Sequence, residues 1–187
     1  MSPSQDAATA TPSPSLERQL VDAIAAQGIT FFTGVADSGF KRLIAELESS
    51  EMGGRYVLAT REDNAIALAV GAQLAGQRPL VFMESSGFGN ILDALTSLAI
   101  VFEIPLVLFI AWAGYKGRDV PHHNSIGEPL EHILRDLDLD TVRVGLDDPP
   151  DVLAAAIGGA LRGAGARRRP AVVLGVPSSL RREEDDE

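Results

Sequence analysis

Apolar positions along the chain gather into short uninterrupted runs, and the stretches between them carry helical spacing. The runs cover residues 29–33, 56–59, 80–84, 106–112, 141–144 and 171–176. Leu106-Val-Leu-Phe-Ile-Ala-Trp112 is the most apolar, and a run without alternation suits a parallel strand buried on both faces. Between the runs, Ser15 is placed to cap a helix reaching Gln27, with Leu16, Leu20 and Ile24 on one face and Gly28 as its stop. Further helices are predicted over 39–50, through Phe40, Leu43, Ile44 and Leu47, and over 62–76, 91–102, 130–137 and 152–161. Gly53-Gly54 and Asp147-Asp-Pro-Pro150 read as breaks. Strand and helix alternate about six times, which predicts an α/β fold: a single doubly wound domain with a mainly parallel six-stranded sheet and right-handed crossovers.

One predicted helix departs from the ordinary pattern. From Ala65 to Ala75 its residues are small or apolar on every side, interrupted by Gln73. A surface helix has a polar face, so this one should be covered on both sides, in part by another chain. Glu62 stands in its first turn, directly after the run 56–59. Strand ends at the carboxyl edge of an α/β sheet are where such folds bind ligands. Glu62 is therefore a candidate to hold and release a proton, against the alternative that it complements the helix dipole.

Composition narrows the classes. With 187 residues and 45% apolar content the chain can bury a substantial core. A net charge of -10 speaks against a nucleic-acid partner, because phosphate binding needs clustered cations. There is no cysteine, hence no disulfide, thiolate chemistry or cysteine-based zinc site. No run approaches the ~20 apolar residues of a membrane span, and the first residues lack the basic region and apolar core of an export signal. A cytoplasmic protein is expected. Residues 1–14, rich in Ser, Thr, Ala and Pro, read as a disordered tail, 15–178 as the domain, and 179–187 as a disordered acidic tail.

Loops 34–38, 61–64 and 85–90, and a long loop over 113–129, all follow strands and can converge at the carboxyl edge. In Ser85-Ser-Gly-Phe-Gly-Asn90 two glycines could present N–H groups to an anion or form a tight turn at Gly87. The third glycine of a dinucleotide fingerprint is missing. Asp37 and Ser38 could contact a ligand or cap a helix. His122 and His123 suit proton transfer or an anionic substrate, or a solvated pair. Adjacent histidines point in different directions, and His132 lies further on, so no metal site is expected. Phosphate-binding P-loop and serine-nucleophile motifs are absent. Arg167-Arg-Arg169 reads as an exposed basic run.

Thr33-Gly-Val-Ala-Asp-Ser38, Glu62-Asp-Asn-Ala-Ile-Ala-Leu-Ala-Val-Gly71 and Ser85-Ser-Gly-Phe-Gly-Asn90 with Leu95-Thr-Ser-Leu98 together resemble the thiamine-diphosphate-dependent decarboxylases of the phosphonopyruvate and sulfopyruvate type. The resemblance spans about 16–176 and implies the pyrimidine-binding (PYR) domain. It implies that Glu62 meets N1′ of the cofactor's aminopyrimidine and promotes loss of the proton from thiazolium C2. It further implies that Gly34, Ser86, Gly87, Phe88 and Asn90 line the cofactor, that Asp37, Ser38, Ser85 and His123 meet substrate, and that His122 or His123 moves a proton. Ala36 stands where the family has proline, and Ser85 where it has asparagine. The diphosphate-binding (PP) domain, which carries Mg²⁺, has no counterpart after Gly145. The resemblance thus implies a separate PP-type beta subunit, PYR–PYR or PYR–PP contacts in a heterotetramer or larger assembly, and a small anionic 2-oxo acid as substrate. Other thiamine-diphosphate reactions such as carboligation, and a non-catalytic partner subunit, are the competing readings.

Overall fold

A computed structural model describes residues 14–49 and 55–181. Among the described residues there is one sheet of six strands, all parallel, in the order β2-β1-β3-β4-β6-β5. The strands are β1 (Phe31–Gly34), β2 (Tyr56–Leu58), β3 (Pro79–Glu84), β4 (Val107–Ala111), β5 (Asp140–Gly145) and β6 (Ala171–Val176). The central strands β3, β4 and β6 are buried almost throughout. That is why each reads as a continuous apolar run.

Two cores flank the sheet. On one face α1 (Leu16–Ala26), α2 (Lys41–Ser49) and α7 (Pro150–Arg167) cover Phe32, Phe82, Phe109 and Val173. On the other, α3 (Glu62–Leu74), α4 (Phe88–Ala94) and α6 (Leu130–Asp136) cover Val81, Met83, Leu108, Ile110 and Leu174. Each such side chain, fully buried, contributes about 1.5–3 kcal/mol. Ser15 caps α1 as expected, its side chain accepting from the Arg18 N–H at 3.1 Å. The 62–76 helix is α3, apolar all round as its sequence reads; Ala65, Ile66, Ala69 and Val70 enter the core while Ala67, Leu68 and Leu74 stay exposed.

Two expectations are corrected. The 113–129 stretch is no loop: it holds a 3-10 turn (Tyr115–Gly117) and helix α5 (Pro121–Gly127). Tight backbone contact fixes it, since a Cβ on Gly114 would lie 2.2 Å from His123 O and one on Gly127 2.3 Å from Ala113 O. Trp112 Nε1 donates to Gly127 O at 2.8 Å, and the Asn124 amide donates to the carbonyls of Gly117 and Asp119, both at 2.9 Å. Second, α7 runs past Leu161 to Arg167. Its glycines blur the apolar pattern because they serve close packing: a Cβ on Gly158 would meet Gln27 Oε1 of the α1 cap at 2.1 Å. The basic run is exposed at Arg167 and Arg168 as expected, and it is also paired. Arg167 bonds Asp138 and Asp140, Arg168 bonds Glu103, and Arg169 donates to Leu137 O. The described chain closes with a short helix, α8 (Ser178–Arg181). Gly53-Gly54 and the tail residues 1–13 and 182–187 lie outside the described residues.

Candidate active site

The turn Ser85–Gly87, a single 3-10 turn between β3 and α4, is the middle of the site. On one side of it stands Glu62. The chain leaves β2, Arg61 is extended (φ -147°, ψ 157°), and α3 begins at Glu62. Arg61 turns to Asp63, with Nε 3.2 Å from Oδ1, and so leaves the Glu62 carboxylate to another partner. That partner is Asn90 in the first turn of α4, whose Nδ2 donates to Glu62 Oε2 at 2.8 Å. A hydrogen bond to a charged group is worth about 1.5–3 kcal/mol. Gly87 lets the carboxylate in: a Cβ there would lie 2.5 Å from Glu62 Oε1. Its φ of -75° suits any residue, so space and not backbone conformation asks for glycine. Glu62 is half-buried, and a carboxylate has about four acceptor positions. One Asn90 bond leaves it capacity for a ligand.

On the other side lies an acid–histidine network. Glu84 closes β3, and its carboxylate accepts from the Ser86 hydroxyl. His123 Nε2 stands 3.4 Å from Glu84 Oε1, and His123 Nδ1 3.0 Å from Asp119 Oδ2. Asp119 also accepts from the backbone N–H of Gly114 at 3.0 Å and of Val120 at 2.7 Å. Burial pushes Asp119 up, but those N–H groups and the His123 ring hold it below the ordinary aspartate range. An ionised Asp119 takes the Nδ1 proton of His123, which leaves Nε2 to face Glu84. Asp37, in the loop after β1, lies close enough to the Glu84 carboxyl group for its charge to act on it. Burial first, then Asp37, pushes Glu84 above the ordinary glutamate range, against the downward pull of Ser86 and His123.

The expected convergence is therefore partly present. Glu62, Gly87 and Asn90 come together, as do Asp37, Ser86 and His123. His122 is exposed, its ring 4.4 Å from that of His123. Ser38 is exposed at the start of a 3-10 turn, while Asp37 Oδ1 caps that turn through the Gly39 N–H at 2.8 Å. Three of the expected site residues lie inside the fold. Ser85 is fully buried and donates to Ala113 O at 2.8 Å, so it ties β3 to the segment before α5. Phe88 is a fully buried core residue. Gly34 lies inside β1, where a Cβ would strike Phe82 O at 2.2 Å, and its carbonyl accepts from the Ala59 N–H at 2.8 Å. Glu84, Asp119 and Asn124 escaped the sequence reading. An acid ending an apolar strand at the ligand-binding edge was the available signal for Glu84.

The geometry can now be set beside known proteins. Residues 14–137 match the family described as thiamine pyrophosphate enzyme, N-terminal TPP binding domain. The chain belongs to that family. It is 29% identical over 124 residues to the sulfopyruvate decarboxylase subunit alpha of Methanocaldococcus jannaschii, covering 66% of this chain and 73% of the relative. It is 34% identical over 122 residues to the phosphonopyruvate decarboxylase of Streptomyces viridochromogenes, covering 65% of this chain but 30% of that protein. Its fold superimposes on benzoylformate decarboxylase from Polynucleobacter necessarius with TM-score 0.59 at 17% identity, over 88% of this chain and 30% of the other. The thiamine-pyrophosphate domain thus spans most of one relative and under a third of the other two. The site above lies at the carboxyl edge of a thiamine-pyrophosphate-binding sheet.

Proposed function

We propose that this chain is the PYR-type subunit of a two-subunit 2-oxo acid decarboxylase, a carboxy-lyase active with a separate PP-type beta subunit. Its substrate class is a small anionic 2-oxo acid of the phosphonopyruvate or sulfopyruvate kind, released as the aldehyde with CO2. The observation that carries the reading is Glu62: a half-buried carboxylate, held by Asn90, given room by Gly87, and with acceptor capacity to spare.

These residues fit thiamine diphosphate. The Glu62 carboxylate is the acceptor a protonated aminopyrimidine ring nitrogen needs, and the missing Cβ at Gly87 is what lets that carboxylate sit where it does. Once bound, the cofactor supplies the electron sink that lets a 2-oxo acid lose CO2. This chain's own part is to hold a proton at Glu62, to fix that carboxylate through Asn90, and to offer Asp37 and His123 as proton-bearing contacts. Mg²⁺ and the diphosphate are assigned to the partner.

A partner also suits the surface. The edge strand β2 and α3 expose Val57, Leu58 and Leu68 along a groove of about 740 Å³, and Leu74 stands 74% exposed on the same helix. Contiguous exposed apolar area of this kind marks an interface. The relatives called "subunit alpha" point the same way.

The test is reconstitution. The chain mixed with a PP-type subunit, thiamine diphosphate and Mg²⁺ should release CO2 from phosphonopyruvate or sulfopyruvate, and the chain with cofactor alone should release none. Turnover without a partner, or of no 2-oxo acid at all, contradicts the proposal.

A further inference from the structure

Helix α5 has seven residues, and its start has no side-chain cap. Isolated helices shorter than about 12–15 residues are marginal in water, so contacts from outside must hold it. Yet α5 carries His123, whose ring is useful only if its direction is fixed. We propose that Asn124 is the positioning residue for His123: its amide clamps residues 117–119, and with them the Asp119 carboxylate that orients the ring. The expected effect on turnover rests on the decarboxylase reading given above.

Both donors and the acceptor of the Asn124 side chain are in use. Nδ2 donates to Gly117 O and to Asp119 O, both at 2.9 Å, and Oδ1 accepts from the Asp119 N–H at 3.1 Å. A carboxamide combines two N–H donors with a carbonyl acceptor. Aspartate in its place could accept but not donate. Turning the amide over would set its oxygen against two carbonyl oxygens, so the network itself fixes its orientation. Asp119 is thereby held through both its N–H and its C=O. Its carboxylate then stands within reach of the Gly114 N–H at 3.0 Å, the Val120 N–H at 2.7 Å and His123 Nδ1 at 3.0 Å. With Nδ1 engaged there, Nε2 lies 3.4 Å from Glu84 Oε1. Among the described residues no hydrogen bond joins Asn124 to the ring, so it acts by way of Asp119.

The helix and the ring are held by different contacts, and this separates the role from folding. Helix α5 is docked by the bond from Trp112 Nε1 to Gly127 O at 2.8 Å and by the backbone approaches at Gly114 and Gly127. None of these involves the Asn124 side chain. Losing the clamp should leave α5 in place while the side chains of Asp119 and His123 come loose.

Nitrogen NMR of the His123 ring, in the full chain without cofactor, reads this directly. With the ring neutral, the wild type should show one tautomer, the hydrogen on Nδ1. Asn124→Ala should average the two tautomers, and so should Asn124→Asp, which keeps the shape and loses both donors. The indole N–H of Trp112, the one tryptophan of the chain, should keep its wild-type shift and so report that α5 is still docked. An unchanged ring spectrum in either folded variant overturns the proposal. A ring that loosens only when the Trp112 signal moves makes Asn124 a folding residue and overturns it too. In the assembled enzyme, Asn124→Asp should lower kcat about tenfold with KM within about twofold. The double variant with Asp119→Asn should lose no more than Asp119→Asn alone, since both changes release the same ring. A normal kcat, or losses that add, contradicts action through Asp119. If the wild-type pair turns over no 2-oxo acid, the decarboxylase reading fails while the ring spectrum still decides whether Asn124 sets His123.

Discussion

The two sides of the Ser85–Gly87 turn present opposite kinds of carboxylate. Glu62 has one hydrogen-bond partner among the described residues, a neutral amide, and packs against the bare backbone of Gly87. Glu84, on the other side, is met by an acid, a hydroxyl and an imidazole, and Asp119 behind it is met by two backbone N–H groups and the same imidazole. An acceptor left under-used in a cleft is a place for a ligand. A crowded acid is a place where protons are held. The turn between them is a single 3-10 turn, so both kinds of carboxylate stand at the same edge of the sheet.

The comparison can be broken most severely at Gly87. Gly87→Ala fits the backbone but puts a methyl group 2.5 Å from where Glu62 Oε1 now lies. The carboxylate is the flexible end of a side chain and will move, so the melting temperature should hardly change. Activity of the assembled enzyme should fall roughly 100-fold, the cost of misplacing a reacting group by about 1 Å. Normal activity in that variant would mean that the position of Glu62 is not what matters.

On the other side a smaller, pH-dependent effect is expected. Asp119 is held below its ordinary value of 3.8, so its folded form binds protons less readily than its unfolded form. Its contribution to stability is present above 3.8 and fades as the pH falls through the lower folded value. Asp119→Asn should therefore lower the melting temperature at neutral pH and lose less on acidification than wild type. Thermal melts at pH 7 and about pH 3 read this. Parallel losses in the two proteins would remove Asp119 from the network.

Much of the fold was legible because its physics is local. The strands β3, β4 and β6 are buried on both faces and so appear as unbroken apolar runs. Ser15 marks the start of α1 through its own side chain. Glu62 stood out through the abrupt change from strand to an all-apolar helix. What stayed hidden depends on tertiary contact. Helix α5 is written in polar and weak helix-forming residues, Pro121-His-His-Asn-Ser-Ile-Gly127, and forms because Gly114 and Gly127 allow the backbones to meet and Asn124 binds two carbonyls. Ser85 and Phe88 sit in a motif that reads as ligand-facing, yet the turn geometry sends both inward. Glu84 looked like the polar end of a strand, since its partners come from residues 37, 86 and 123.

Exchange of the thiamine C2 proton with deuterium, followed by NMR in the assembled enzyme without substrate, tests the role of Glu62 most directly. Glu62→Gln keeps the shape of the side chain and removes its capacity to hold a proton. The account predicts that the subunits still assemble and bind cofactor, while exchange slows about 100-fold or more, the scale of positioned acid–base catalysis. Exchange at the wild-type rate in that variant would contradict it.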